Sequence, residues 1–176
     1  MISSLVSPVK ILSFETLSPA EFAQAVFYLC GTVGRAAVVV DSRPFLERDA
    51  LAAGVSARFD TVVLDRVRPD PRASDIDAMR ASLAGRAPDV VIGIGGGSVM
   101  DSAKALAMLT ANGGSLSEYL GPEPARKIER KGPPLLLVPT TAGTGSEATM
   151  AAACSTRALR GAVTASIPSS CGRPRS

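Results

Sequence analysis

Apolar residues in this chain gather into four short runs that do not alternate with polar residues. The runs are Ala36–Val40, Thr61–Leu64, Val90–Ile94 and Leu135–Val138, and each is four or five residues long. Continuous runs of β-branched residues and leucine are typical of parallel strands that are covered on both faces. The pattern therefore predicts four buried parallel strands.

Helical patterns lie before and between these runs. Apolar spacing predicts helices at Pro19–Leu29, Pro44–Ala53, Ser74–Leu83 and Val99–Ala111. The sequence SDID at 74–77 has the spacing of a capping box, and Gly54, Gly85 and the sequence NGG at 112–114 indicate helix stops. Strands that alternate with helices predict an α/β fold, here a Rossmann-like doubly wound parallel sheet.

The composition excludes several classes of protein. No apolar run approaches the ~20 residues that cross a bilayer, and the first residues lack the pattern of a signal peptide. Three cysteines at unrelated spacings, Cys30, Cys154 and Cys171, argue against a disulfide framework or a zinc cluster. We therefore expect a cytoplasmic protein with free thiols and no membrane partner.

The basic charge of the chain is confined to its end. The net charge is +3, but residues 151–176 hold four arginines and no acidic residue. Without those four, the 19 basic residues fall to 15 against 16 acidic residues, so the rest of the chain has no basic surplus. This distribution, with 4% aromatic residues, argues against a nucleic-acid partner. The chain has no histidine, the commonest general base and metal ligand.

A glycine-rich turn follows the third predicted strand. Gly95–Gly97 permit a close approach to the backbone, and the helix after them directs its N-terminus to the same place. Ser98 is a natural N-cap for that helix, and Asp101 completes a capping-box-like pair. The turn could bind a phosphate, or it could only allow tight packing of the helix on the strand.

Two further polar features stand at the same edge of the predicted sheet. A loop rich in threonine and glycine follows Val138 and offers hydroxyls for an anion or for sugar hydroxyls, unless it is only a polar loop with helix caps. Asp41 ends the first run, where a carboxylate can accept hydrogen bonds from ribose hydroxyls and repel a 2′-phosphate. Its alternative role is to start a turn before Pro44.

Four stretches together resemble the iron-containing (group III) alcohol dehydrogenases. They are VVVDS at 38–42, RPDP at 68–71, GGGSVMDSAKA at 95–105 and PTTAGTGSEAT at 139–149. The resemblance implies a two-domain enzyme, with an N-terminal α/β domain that binds NAD(P) and a C-terminal helical domain that carries iron or zinc. Its reaction would interconvert an alcohol and an aldehyde or ketone by hydride transfer, and the small-molecule substrate cannot be specified. A homo-oligomer is compatible with this family.

The resemblance also implies which residues contact the cofactor. Asp41 would hold the adenosine ribose, Asp70 would lie near the adenine, and Gly97 and Ser98 would bind the pyrophosphate. The full set of cofactor-binding residues is Asp41, Asp70, Gly96, Gly97, Ser98, Asp101, Thr140, Thr141, Thr144 and Thr149. The charge of Asp41 favours NAD over NADP, although NADP stays open.

The chain departs from the family at the metal site. The family's ligands are one aspartate and three histidines from its later part, and none of these ligands is assigned in this chain. A non-catalytic nucleotide-binding fragment is therefore an alternative, and an enzyme similar to dehydroquinate synthase, which also uses NAD, is another. We expect the chain to comprise an NAD(P)-binding domain at 1–150 and an atypical tail at 151–176 that is disordered or out of frame.

We predict a frameshift or truncation as the origin of this tail. Codons for residues 167–171, read one base earlier, can encode His-Pro-Lys-Leu-Met, which is similar to a stretch that family members have at about this distance. The DNA downstream of codon 153 should then encode a histidine-rich dehydrogenase continuation in another frame. Sequencing the gene tests this, and three frames without such a continuation would contradict it.

Overall fold

The computed structural model describes residues 18–31, 33–43, 46–141, 151–156 and 159–166. Its strands are β1 (Arg35–Asp41), β2 (Asp60–Val67), β3 (Val90–Gly95), β4 (Leu135–Pro139), β5 (Ala151–Thr156) and β6 (Leu159–Ser166). Its helices are α1 (Pro19–Cys30), α2 (Leu46–Ser56), α3 (Ala73–Ser82) and α4 (Gly97–Asn112), with a 3₁₀ turn at Leu116–Tyr119. The first four strands form one parallel sheet in the order β2-β1-β3-β4, which confirms the predicted α/β fold class.

The two central strands bury both of their faces. Alternate residues of β1 point to opposite sides of the sheet, as a strand requires. Ala36, Val38 and Val40 join a core beneath α1 and α2, whereas Ala37 and Val39 join a second core beneath α3 and α4. The sheet is therefore the middle of three layers.

The two edge strands are more exposed than the apolar runs predict. Val63 on β2 is 44% exposed and Leu135 on β4 is 37% exposed. Each of these strands has a partner on one side only among the described residues, so helices cover it less completely. The prediction of four fully covered strands thus holds for β1 and β3 and is wrong for β2 and β4.

Two of the predicted helix signals have other roles. Helix α2 continues past Gly54 to Ser56, so this glycine is not a stop. A side chain at Gly54 would meet backbone atoms of Pro19, the first residue of α1, and the glycine therefore allows the two helices to approach.

The predicted capping box at 74–77 is also wrong. The N-cap of α3 is Arg72, and no side chain caps the helix. Asp77 instead accepts hydrogen bonds from the Leu116 N–H at 2.8 Å and from the Ser115 hydroxyl at 2.6 Å. The Asp77 carboxylate thus binds residues that are distant in sequence, although the local pattern assigns it to a helix cap.

Residues 151–156 and 159–166 form an antiparallel pair of strands. Ala152 and Cys154 are buried in the core beneath α3 and α4, so alternate residues of β5 face that core. The structure thus describes two strands within the segment for which the sequence analysis expects an atypical tail, while 167–176 lie outside the described residues. Among the helices that the structure describes, none is long and apolar enough to span a membrane.

We expect Gly54→Ala to destabilise the protein. The new Cβ would lie 2.7 Å from Pro19 Cβ and 2.8 Å from the Pro19 carbonyl carbon, which is too close for any real contact. Overpacking of this kind costs about 1–3 kcal/mol, against about 1 kcal/mol that alanine contributes through helix propensity.

Urea unfolding measures the difference. The exposed neighbour Ala53 provides the matched control, because Ala53→Ser should change the free energy of unfolding by about 0.5 kcal/mol or less. A G54A protein more stable than the original would contradict the close approach of α1 and α2.

Candidate functional site

The candidate site lies where the path of the chain reverses across the sheet. From β1 the chain passes through α2 to β2 on one side, and from β2 it passes through α3 to β3 on the other side of β1. Helices α2 and α3 pack on opposite faces. Ligands of open α/β sheets bind at such a reversal, beyond the carboxyl ends of the strands. Here those ends are Asp41 of β1 and Gly95 of β3.

The glycine turn makes close contacts on two sides, and phosphate binding there stays a prediction. A Cβ at Gly95 would lie 2.5 Å from Val99 Cγ2, so this glycine is required for packing of α4 on β3. A Cβ at Gly96 would lie 3.2 Å from Thr141 Oγ1, so Gly96 lies against the threonine loop instead. The turn therefore packs tightly and also brings two loops of the rim together.

The N-terminus of α4 opens towards this rim without a side-chain cap. Its N-cap is Gly96, and no hydrogen bond from a side chain caps it. The prediction of Ser98 as N-cap is wrong, because Ser98 lies inside the first turn and its carbonyl accepts the Ser102 hydroxyl at 2.8 Å. Backbone N–H groups and the positive end of the helix dipole are thus directed at the place where an anion would bind.

Asp101 pairs with a buried lysine and is not part of a capping box. Lys104 is 2% exposed, and its Nζ lies 3.2 Å from Asp101 Oδ1, one helical turn away. A buried ammonium needs a carboxylate or hydrogen bonds to offset the loss of hydration. The pair places the Asp101 carboxylate near the N-terminal end of α4.

The threonine loop reaches the same rim in its described part. The Thr140 N–H donates to the Gly95 carbonyl at 3.1 Å, and both Thr140 and Thr141 are exposed. Thr144 and Thr149 lie outside the described residues.

Asp41 is held in a tight turn at the end of β1. Its Oδ1 accepts the Arg43 N–H at 2.7 Å, and the Ser42 N–H donates to the carbonyl of Val67 on β2 at 3.0 Å. No described residue donates a hydrogen bond to Asp41 Oδ2. One carboxylate oxygen therefore fixes the turn, and the other is available to a ligand.

Arg48 belongs to this part of the structure, and the sequence analysis missed it. Its guanidinium donates to the carbonyl oxygens of Asp41 and Arg43. One signal could have identified it, since a cation in the first turn of a helix opposes the helix dipole and requires a specific partner.

Asp70 lies in the loop after β2, with a left-handed backbone at φ 57°. It is exposed, and its charge acts on the buried thiol of Cys154. The charges of Asp101 and Lys104 act on the same thiol, so all three charged groups lie in the neighbourhood of Cys154.

Burial raises the pKa of the Cys154 thiol to about 12, compared with 9.0 ordinarily. The negative charges of Asp101 and Asp70 raise this pKa as well, while Lys104 lowers it. Cys154 is therefore a neutral core residue and not a thiolate nucleophile.

The described part of the rim is better suited to a dinucleotide than to a metal ion. The uncapped helix N-terminus and the close contact of Gly96 with Thr141 suit a pyrophosphate, and the open oxygen of Asp41 suits a ribose. Among the described residues no three His, Cys, Asp or Glu side chains form a metal-binding group. They therefore supply no site for the iron or zinc that the resemblance implies.

We predict that Cys154 lowers stability at alkaline pH. Between about pH 9 and about pH 12 the unfolded thiol has lost its proton, but the folded thiol keeps it. Unfolding then releases a proton, so the free energy of unfolding falls as pH rises, by up to about 1.4 kcal/mol per pH unit.

Cys154→Ala should remove this contribution, as measured by urea unfolding at a series of pH values from 8 to about 10. The C30A variant keeps the Cys154 thiol and should keep the slope. Equal slopes in C154A and the original chain would show that the thiol does not titrate as described.

Comparisons with known proteins agree with the fold and the site. The model of the iron-containing alcohol dehydrogenase family matches residues 19–169. This match extends past Ala153 and through β5 and β6. The reading frame of residues 151–176 stays a prediction.

Two curated relatives and one solved structure illustrate the similarity. Long-chain-alcohol dehydrogenase 1 of Geobacillus thermodenitrificans is 52% identical over 61 residues, which are 35% of this chain and 15% of that protein. NAD-dependent methanol dehydrogenase of Bacillus methanolicus is 32% identical over 120 residues, which are 65% of this chain and 30% of that protein. The alcohol dehydrogenase of Oenococcus oeni superposes with a TM-score of 0.69 at 26% identity, covering 83% of this chain and 38% of its own.

The matched segments therefore cover less than a third of the length of either relative. Its match to the family model nevertheless covers most of its own residues. The protein belongs to the iron-containing alcohol dehydrogenase family.

Proposed function

We propose that this chain is the NAD-binding part of a dehydrogenase that interconverts an alcohol with an aldehyde or ketone. The observation that carries the proposal is the α4 N-terminus, which opens without a side-chain cap at the reversal point of the sheet, beside Asp41. The nicotinamide of a bound NAD supplies the hydride transfer. The described residues of this chain bind and orient that cofactor.

Each part of the rim has a separate task in this proposal. The N–H groups of the turn at Gly97 and Ser98 hold the pyrophosphate, and the absence of a side chain at Gly96 leaves room for Thr141 beside them. Asp41 accepts the ribose hydroxyls, and its charge repels the 2′-phosphate of NADP. Thr140 and Thr141 line the groove from the neighbouring strand.

Asp70, Asp101, Thr144 and Thr149 complete the proposed groove. Asp101 is fixed by the buried Lys104 at 3.2 Å, so its carboxylate keeps one position while the cofactor enters. The pairing also keeps its charge from opposing the pyrophosphate, because the ammonium neutralises it locally.

A second candidate is nucleotide binding without turnover by this chain. The observation that favours it is the absence of histidine from all 176 residues, together with the lack of a three-residue metal group among the described ones. Turnover of alcohols with added Fe²⁺ or Zn²⁺ distinguishes the two. Binding of NAD without turnover under those conditions supports the second candidate.

We expect the purified chain to bind NADH more tightly than NADPH, and Asp41→Asn to reduce this preference. The loss of a charged hydrogen-bond acceptor should weaken NADH binding on the order of tenfold. NADPH should bind D41N no worse than the original, because the repulsion of its 2′-phosphate is gone. Calorimetric titration of both cofactors measures the two dissociation constants.

Glu129→Gln is the matched control for this experiment. Glu129 is exposed, and its N–H donates to Asn112 at the far end of α4, so its substitution makes the same change in net charge away from the proposed site. E129Q should leave both dissociation constants unchanged. An original chain that binds neither cofactor would overturn the proposed function, and an unchanged preference in D41N would overturn the role of Asp41.

A further inference from the structure

Arg48 is buried where α2 begins, close to the end of β1. Only 6% of the residue is exposed, although arginine is seldom buried without partners. It stands in the first turn of α2, where the positive end of the helix dipole disfavours a cation. Such a position requires partners that offset both the repulsion and the lost hydration.

The partners of Arg48 include the backbone of the Asp41 turn. Its Nη1 donates to the Asp41 carbonyl and to the Arg43 carbonyl, the latter at 3.1 Å. Its Nε donates to Asp49 Oδ1 at 2.7 Å, so a carboxylate of α2 orients the guanidinium. The side chain therefore joins the first turn of α2 to residues 41–43.

Residues 41–43 include Asp41, whose carboxylate faces the proposed ligand. The Arg43 N–H donates to Asp41 Oδ1, so the orientation of the carboxylate depends on the position of the Arg43 backbone. That backbone is held at its carbonyl by Arg48. A change at Arg48 would therefore reach Asp41 Oδ2 through the backbone and not through direct contact.

We propose that Arg48 is a positioning residue for cofactor selection. It holds the 41–43 turn in one conformation, so that the Asp41 carboxylate meets the adenosine ribose of NAD and opposes a 2′-phosphate. The inference rests on the proposed function. When a site is competent for only a fraction of the time, its apparent affinity falls by that fraction. A loose turn would thus weaken NADH and at the same time lessen the rejection of NADPH.

The test compares Arg48→Met and Arg48→Lys in the full chain. R48M keeps much of the apolar stem but donates no hydrogen bond, and it should weaken NADH about tenfold, as for a turn that is competent about one tenth of the time. NADPH binding should weaken less, so the dissociation constant of NADPH divided by that of NADH falls. R48K should lie between, because an ammonium lacks the planar fork that reaches two carbonyls in fixed geometry.

Arg35→Met is the matched control. Arg35 is at the other end of β1, where it pairs with Asp60 at 2.7 Å, and the length of the strand separates it from the 41–43 turn. R35M should lower stability without changing the ratio. If R48M fails to fold, R48K carries the test, since it keeps a cation at the site.

A double variant separates positioning from a general loss of structure. If Arg48 acts through Asp41, R48M should have little further effect on the ratio in a D41N background. If the original chain binds NADH, and R48M and R48K keep the original ratio of the NADPH to the NADH dissociation constant, this inference alone is overturned. An original chain that binds neither cofactor would overturn the proposed function itself.

Discussion

The pairing of β1 with β3 is the interaction on which the rest of the structure depends. Five consecutive residues of β1, from Ala36 to Val40, lie opposite Val90 to Ile94, and all ten are buried. Alternate residues of both strands supply the cores on the two faces. Because the strands are parallel, the register that forms the core also brings Asp41 beside Gly95. The candidate site is thus a consequence of the sheet.

Three glycines determine how closely α4 packs on the sheet and where its N-terminus lies. Gly93 and Gly95 allow α4 to approach β3, since a Cβ at either position would press on Ala103 or Val99. That approach brings the N-terminus of α4 to the rim of the sheet. Gly96 then leaves room for Thr141, because a Cβ there would lie 3.2 Å from Thr141 Oγ1. The first two glycines position the helix, and the third one lets the threonine loop approach its N-terminus.

The sequence predicts those features that depend on neighbouring residues and fails where distant residues compete. Apolar runs and their spacing gave the four parallel strands and the four helices, because burial and periodicity are local properties. The caps at Ser74 and Ser98 were wrong, since the Asp77 carboxylate binds the backbone at Leu116 and α4 begins two residues earlier than a cap at Ser98 needs. The contacts of Arg48 depend on the carbonyl directions of residues 41 and 43, which only the folded turn defines.

Two buried cations flank the reversal point, and they stabilise different parts of the structure. Lys104 fixes a side chain, Asp101, on α4, whereas Arg48 fixes the backbone after β1. Between them the N-terminus of α4 has no side-chain cap, although a serine or aspartate cap contributes about 1 kcal/mol to a helix. Among the described residues, the fold therefore fixes the surroundings of this helix end, while its N-cap offers no side chain to the first N–H groups. In the function we propose, a pyrophosphate would accept those N–H groups, and the fixed surroundings would keep the ordering cost of binding low.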